Sequence, residues 1–285
     1  MKPLITHHCI RSFHGHSGCR IFLHKELSTG NFFVRKVSGN AAYNRRLKKQ
    51  FIKQKKFQQS HLKVPAILSY GEMDGLFYFD MEFIPGVNMA RYIKDTSEHE
   101  LDKLLAILFS TLDDAPRTYQ PDTHRIFMRK IVALEKQLPT EESEISAGLS
   151  KLKMHDFSSI PLSPCCGDLT LENMIVHTNG ELYMVDLMDS FFNSWMMDFS
   201  KLLMDLMFGW SYRDENEKSI PWMKLTLVRN RIVQFILSLE HGDTELQHIY
   251  HLVLLHLLRI YPYAKDDKIK CFLRNSIKET IKMIS

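Results

Sequence analysis

The hydrophobic pattern of the chain changes at Val87, and this change limits the possible folds more than any other feature. Before Val87, short β-rich runs alternate with turn residues, and a helix is predicted over 41–58. After it, apolar residues recur at helical spacing. The predicted strands span 20–25, 31–37, 67–70 and 76–84, and the predicted helices span 88–111, 122–137, 222–240, 245–260 and 267–283. Strands followed by helices are typical of an α+β fold.

One β-hairpin interrupts the helical part. The runs 173–177 and 181–185 flank Asn179-Gly180, a pair that strongly favours a hairpin turn. Asp168 and Asn173 come before the turn, and Asp186 directly follows the second run. Because a hairpin brings its outer ends together, we expect two carboxylates and one amide oxygen to converge.

Phosphoryl transfer needs such a set of side chains. One carboxylate orients the attacking hydroxyl and accepts its proton, while an amide and a second carboxylate hold the metal that bridges the phosphates. Magnesium prefers hard oxygen ligands and usually takes only a few from protein. Each residue could alone be an ordinary turn or strand-end residue, but together they predict a magnesium-dependent transfer of a nucleotide phosphate to a hydroxyl.

The segment around the hairpin resembles the aminoglycoside phosphotransferase and choline kinase family, relatives of the protein kinases. The catalytic loop of that family reads His-Gly-Asp-x-x-x-x-Asn, and residues 166–173 match it with Cys166 in place of the histidine. Val185-Asp186-Leu187 is similar to its metal-binding segment. The resemblance implies that Asp168 is the catalytic base and that Asn173 and Asp186 are metal ligands. It also implies that Asp198 supports the catalytic loop.

The same resemblance implies a bilobal, protein-kinase-like α+β fold. Residues 1–86 would form a small β-rich lobe that binds the nucleotide. Residues 87–285 would form a larger, mainly α-helical lobe that carries the catalytic loop and the acceptor site.

Several residues of the first lobe resemble the nucleotide-binding positions of the family. Arg35 or Lys36 would grip the phosphates, and because neighbouring strand residues face opposite ways only one can do so. The glutamate that pairs with this base in the family is missing, since the helix over 41–58 contains no acid. Gln50 lies closest to its place, with Gln54 second. The backbone groups of Glu82 and Ile84 would bind the adenine edge.

The nucleotide is expected to be ATP or another nucleoside triphosphate, used with Mg²⁺. The acceptor is expected to be a small hydroxylated metabolite such as an amino alcohol, a sugar or an aminoglycoside-like compound. A cationic acceptor could meet acids and aromatic rings that could equally be surface acids and packing residues; these are Glu172, Asp189, Asp214, Glu215, Trp195, Trp210 and Tyr212. The alternative function is a catalytically weakened, kinase-like nucleotide-binding regulatory protein.

Other features exclude some classes of protein or leave them as minor alternatives. Seven Lys or Arg residues and no acid lie between 41 and 59, but no series of stacking aromatic residues accompanies them, so nucleic-acid binding stays a minor alternative. The pair Gly15 and Gly18, before a strand, could bend a loop over phosphates, although most such pairs are turns. The apolar runs are too short for a transmembrane segment. Five irregularly spaced cysteines favour reduced thiols and a cytoplasmic protein.

Overall fold

The computed structural model describes residues 7–13 and 18–284. The chain divides into two compact units. The strand-rich unit consists of the described part of Met1–Val87 together with Met174–Asp189, and the helical unit consists of Asn88–Asn173 together with the described part of Ser190–Ser285. Strands in one unit and helices in the other confirm the α+β class. The lobe boundary expected after residue 86 stays a prediction, and the hairpin groups with the strand-rich unit.

The strand-rich unit is built on an antiparallel sheet with the strand order β1-β2-β3-β5-β4. The strands are β1 (His7–Phe13), β2 (Cys19–Glu26), β3 (Phe32–Ser38), β4 (Ile67–Met73) and β5 (Leu76–Glu82). Helix α1 (Asn44–Lys56) buries Leu47 and Phe51 against Phe79 and Met81 of the sheet. The sequence predicted this helix, and its first three residues, Ala41–Tyr43, form a 3₁₀ turn instead.

The predicted hairpin is confirmed. Strands β7 (Met174–His177) and β8 (Leu182–Met184) pair antiparallel, and β6 (Gly86–Asn88) completes a three-stranded sheet. Gly180 adopts a φ of 85° in the turn, a conformation that glycine reaches without strain. Gly86 is required by packing, because a Cβ there would lie 2.2 Å from the carbonyl oxygen of Val176.

The helical unit contains α2 (Met89–Asp95), α3 (Glu98–Asp113), α4 (Thr123–Glu135), α5 (Ser143–Met154), α6 (Trp195–Phe208), α7 (Trp222–Leu237), α8 (Gly242–Ile260) and α9 (Asp267–Met283). Helix α8 is at the centre and packs against α6, α7 and α9. The single helix expected over 88–111 is wrong. Thr96 is extended there, and the Ser97 side chain caps α3 by accepting from the N–H of Glu100.

Within the described residues, no helix is both long and apolar enough to span a bilayer. None of the five cysteines forms a disulfide.

Candidate active site

The loop before the hairpin brings two of the predicted site residues together in the helical unit. The side-chain amide of Asn173 donates to the Asp168 carboxylate over 3.0 Å and to the Asp168 backbone carbonyl over 3.1 Å. The ammonium group of Lys201, on α6, lies 3.1 Å from the other carboxylate oxygen of Asp168. Both oxygens of Asp168 are therefore oriented, while 27% of its side chain stays exposed.

Asp198 holds the backbone at the start of this loop. Its buried carboxylate accepts from the N–H of Cys166 at 2.5 Å and from the N–H of Gly167 at 2.7 Å. Gly167 has a φ of 89°, which suits glycine, so the loop turns sharply just before Asp168. Asp198 thus supports the loop, as the sequence indicated.

A second acid of α6, Asp205, fixes the other end of the loop, and the sequence analysis missed it. Its fully buried carboxylate accepts from the N–H of Leu171 at 2.9 Å and from the N–H of Ser211 at 2.7 Å. Burial raises the pKa of Asp205 to about 6. Asp198 and Asp205 are seven residues apart, which is two helical turns and one face. Two acids on one face of a mainly apolar helix were a detectable signal.

Three other predicted residues meet in the strand-rich unit. The ammonium group of Lys36 lies 2.6 Å from the Asp186 carboxylate and 3.4 Å from the side-chain oxygen of Gln50. Burial opposes the charge of Lys36, yet the pKa of Lys36 is raised because the attraction to Asp186 and the other favourable contacts outweigh burial. Asp186 has a φ of 57°, a left-handed conformation that is uncommon outside glycine and that concentrates at functional sites.

Arg35 lies on the opposite face of β3 and has a different partner. Its guanidinium contacts both carboxylate oxygens of Asp80, at 2.7 and 2.8 Å. Such a two-bond pair is strong and geometrically specific. The hydrogen bond to Asp80 raises the pKa of Arg35. Of the two basic residues left open by the sequence, Lys36 is the one that faces Asp186.

Helix α1 also holds the residues that follow Asp186. Lys53 donates to the carbonyl of Met188 over 2.7 Å, and Lys49 lies 2.6 Å from the Asp189 carboxylate. The side-chain amide of Gln50 contacts the sulfur of Met188 at 2.9 Å. Gln54, the second candidate for the missing glutamate, instead donates to the carbonyl of Pro65.

Glu82 and Ile84 lie at the end of β5. The N–H of Glu82 donates to the carbonyl of Ala66 at 2.9 Å. The backbone groups of Ile84 make no hydrogen bond to another described residue, while its side chain is buried. The glycine pair expected to bend over phosphates lies partly outside the described residues, since residues 14–17 are not among them.

Comparison with known proteins identifies the family. The sequence pattern of the phosphotransferase enzyme family, APH, matches residues 14–217. The chain belongs to this phosphotransferase family. It is accordingly a phosphotransferase. No curated protein matches the chain.

Solved structures confirm the protein-kinase-like fold of this phosphotransferase. A thermostable mutant of aminoglycoside phosphotransferase APH(4)-Ia superposes with a TM-score of 0.68 at 14% identity, over 96% of this chain and 94% of that one. A related variant, in a ternary complex with ADP and hygromycin B, gives 0.66 at 15% identity over 95% and 92%. Ethanolamine kinase from Plasmodium vivax gives 0.53 at 14% identity over 98% and 83%.

Each unit of the phosphotransferase carries one side chain with a hard oxygen, the kind of ligand that magnesium prefers. The two hydrogen bonds donated by the Asn173 amide nitrogen orient its carbonyl oxygen, which has no donor among the described residues. Asp186 offers a second hard oxygen. Among the described residues, no group of three or more His, Cys, Asp or Glu side chains could hold a metal ion.

Most of the acids considered for a cationic acceptor are already paired. Glu172 contacts Arg213 at 3.4 Å, and Glu215 contacts Lys94 at 2.5 Å. Two of the three aromatic side chains are packing residues. Trp195 is buried, and Tyr212 is buried with its hydroxyl donating to the carbonyl of Ala90 at 2.6 Å.

Proposed function

We propose that the chain is an ATP-dependent kinase that transfers the γ-phosphate to a hydroxyl group of a small metabolite, with Asp168 as the catalytic base. The main support for this proposal is that contacts on both oxygens fix the position of the Asp168 carboxylate. Asn173 and Lys201 orient its two oxygens, and Asp198 fixes the backbone that presents it. A general base must be oriented toward its proton before its pKa matters.

The proposed reaction needs only one proton acceptor from the protein. The acceptor hydroxyl oxygen attacks the γ-phosphorus, and the bond from that phosphorus to the oxygen bridging the β-phosphate breaks. ADP leaves, and the hydroxyl proton passes to Asp168. Asn173 and Asp186 would hold magnesium, which neutralises phosphate charge when bound.

The strand-rich unit supplies groups suited to the nucleotide. Lys36 is the residue we assign to the phosphates, because Arg35 is held by Asp80 in a two-bond ion pair. Gln50 orients the Lys36 ammonium through its side-chain oxygen. The unpaired backbone groups of Ile84 support an adenine contact there, together with the backbone of Glu82. We propose ATP rather than another nucleoside triphosphate because two solved structures of similar fold contain ADP or AMP-PNP.

The alternative is a catalytically weakened nucleotide-binding protein. One observation favours it: Lys36 has a neutral amide, Gln50, where the family carries a carboxylate. The intact set of Asp168, Asn173 and Asp186 favours catalysis.

The experiment measures ADP release from ATP with a panel of hydroxylated metabolites, with Mg²⁺ and with excess chelator. We expect acceptor-dependent ADP release that needs Mg²⁺ and is lost in Asp168→Asn. Binding of Mg²⁺-ATP without turnover on any acceptor would instead support the regulatory alternative. The cytoplasmic location expected from the cysteines remains a prediction.

A further inference from the structure

Cations outnumber carboxylates around Asp168 in the helical unit. Lys201 lies 3.1 Å from Asp168. Arg259, on α8, is close enough for Asp168 to stabilise its charge, and Lys130, on α4, is close enough to Arg259 for the two charges to repel each other. Lys201 and Arg259 therefore share the carboxylate of Asp168, and Lys130 lies beside Arg259.

Two of these cations have no carboxylate partner among the described residues. Arg259 lies 5.3 Å from the ring of Phe191 and 3.4 Å from a nitrogen of His256. Lys130 contacts the same Phe191 ring at 5.9 Å. Both side chains are partly buried. A partly buried cation without a partner is costly, and protein interiors normally pair it.

The pKa values of Arg259 and its neighbours reflect this cost. Burial lowers the pKa of Arg259, and the attraction to Asp168 does not make up for it. Burial also lowers the pKa of Lys130, and repulsion from Arg259 lowers it further. The charge of Lys201 and Arg259 adds to burial in keeping the pKa of His256 well below its usual value. Burial is the main cause of all three shifts, and the repulsion among cations that adds to it at Lys130 and His256 is what an anion would relieve.

We propose that Lys130, Lys201 and Arg259 form a site for an anionic group of the acceptor, a carboxylate or a phosphate, beside the catalytic base. This inference rests on the proposed kinase function and narrows its acceptor to hydroxylated metabolites that carry negative charge. Guanidinium and ammonium groups bind carboxylate and phosphate through charge-assisted hydrogen bonds. The paired state of Glu172 and Glu215 agrees with this, because a cationic acceptor would have to displace Arg213 or Lys94.

The same cluster could in principle take the transferred phosphoryl group. The KM for the acceptor and the KM for ATP show which of the two groups, the acceptor anion or the transferred phosphoryl group, the cluster contacts. Loss of a contact to the acceptor anion raises the KM for the acceptor, whereas loss of a contact to the nucleotide raises the KM for ATP.

The experiment compares acceptors of one carbon skeleton that differ in charge: gluconate and glucose 6-phosphate against glucose and glucosamine. We expect kcat/KM at least about tenfold higher for an anionic member than for the neutral or cationic members. Arg259→Gln and Lys130→Gln should each raise the acceptor KM about 10-fold or more and leave the KM for ATP within twofold. Lys130 lies nearer the surface, so its variant covers the case in which Arg259→Gln does not fold.

The matched control is Arg129→Gln, which removes one charge from the exposed face of the same helix α4. It should change neither KM. Equal turnover of neutral and anionic acceptors would overturn the proposal, as would a parallel rise in the KM for ATP in the Arg259 variant.

Direct binding separates failure of this site from failure of the kinase proposal. Calorimetry with inorganic phosphate and with glucose 6-phosphate, without nucleotide, should show binding that Arg259→Gln and Lys130→Gln weaken and Arg129→Gln does not. Anion binding that persists without any transfer activity would refute the kinase function and leave the site standing. Binding that is absent, or equal in all variants, would refute the site.

Discussion

Asp186 and Asp168 differ in the number of cations around them. Asp186, in the strand-rich unit, faces the single ammonium group of Lys36, with the neutral Gln50 beside it. Asp168, in the helical unit, has Lys201 in contact and Arg259 nearby. One carboxylate is thus in a balanced pair and the other lies in a surplus of positive charge. This difference accompanies the division of roles that we propose, in which Asp186 holds a cation and Asp168 accepts a proton beside an anion.

The largest expected effect comes from removing the proposed base, Asp168. Asp168→Asn keeps the shape of the side chain and its contact with Asn173 but cannot accept the hydroxyl proton. We expect kcat to fall about 10²–10⁴-fold while ATP affinity changes little. Steady-state kinetics and equilibrium binding of ATP measure the two quantities. Unaltered turnover would refute the assignment of the base.

The next effect concerns how the loop of Asp168 is held. Asp205→Asn replaces one of two acceptor oxygens by a donor, so the N–H of Leu171 or of Ser211 loses its partner. We expect kcat to fall about tenfold, with the KM for ATP unchanged, since a small misplacement of catalytic groups is costly. Asp243→Asn, an exposed acid at the start of α8, is the control. Equal effects of the two substitutions would show that Asp205 has no positioning role.

The third prediction concerns the ion pair between Lys36 and Asp186, and its expected effect on activity is smaller. Gln50→Glu gives Lys36 a second carboxylate, which weakens its hold on Asp186 and leaves Asp186 more available to a metal. We expect the Mg²⁺ concentration at half-maximal activity to fall about two- to fivefold, the order expected for redistributing one ion pair. Gln58→Glu adds the same charge at an exposed position. An unchanged or higher Mg²⁺ requirement in Gln50→Glu would mean that Lys36 does not restrain Asp186.

The smallest effect is on stability and again lies in the helical unit. His155, His248 and His251 form a cluster. Nε2 of His155 lies 2.8 Å from Nδ1 of His248, and the ring of His155 stacks on that of His251. Burial lowers the pKa of His155 to about 3 and that of His248 to about 4. Below the unfolded pKa of about 6.5, the unfolded chain takes up protons that the folded protein resists.

The free energy of unfolding should therefore fall between pH 6.5 and pH 4. The limit is about 1.4 kcal/mol per pH unit for each proton. Urea titrations across this range measure the slope, which His248→Gln should reduce and the exposed His99→Gln should not. A flat profile in the wild type would rule out a neutral buried cluster.

Much of the fold follows from local sequence patterns such as turn residues and the spacing of apolar residues. The hairpin follows from Asn179-Gly180, and α1 follows from the apolar spacing of Leu47 and Phe51. The break at Thr96–Ser97 was missed because the apolar spacing continues through it, and only the cap at Ser97 divides the helices. Helix α5 was missed as well, since its short apolar stripe lies in a polar segment.

The candidate site could be predicted only in part, because its charges come from distant segments. The sequence indicated Asp168, Asn173 and Asp186, which lie near one another along the chain. It left Arg35 and Lys36 open, and only the pairing of Arg35 with Asp80 separates them. Lys201 and Arg259 follow no motif, since they reach Asp168 through the packing of α6 against α8.

The most direct test of the central claim is a magnesium titration of ATP binding to Asp168→Asn and Asp186→Ala, measured side by side. The division of roles predicts that Asp168→Asn keeps the wild-type dependence on Mg²⁺. Asp186→Ala should lose most of this dependence, because it lacks a proposed ligand of the ion. An unchanged titration in Asp186→Ala would contradict the account.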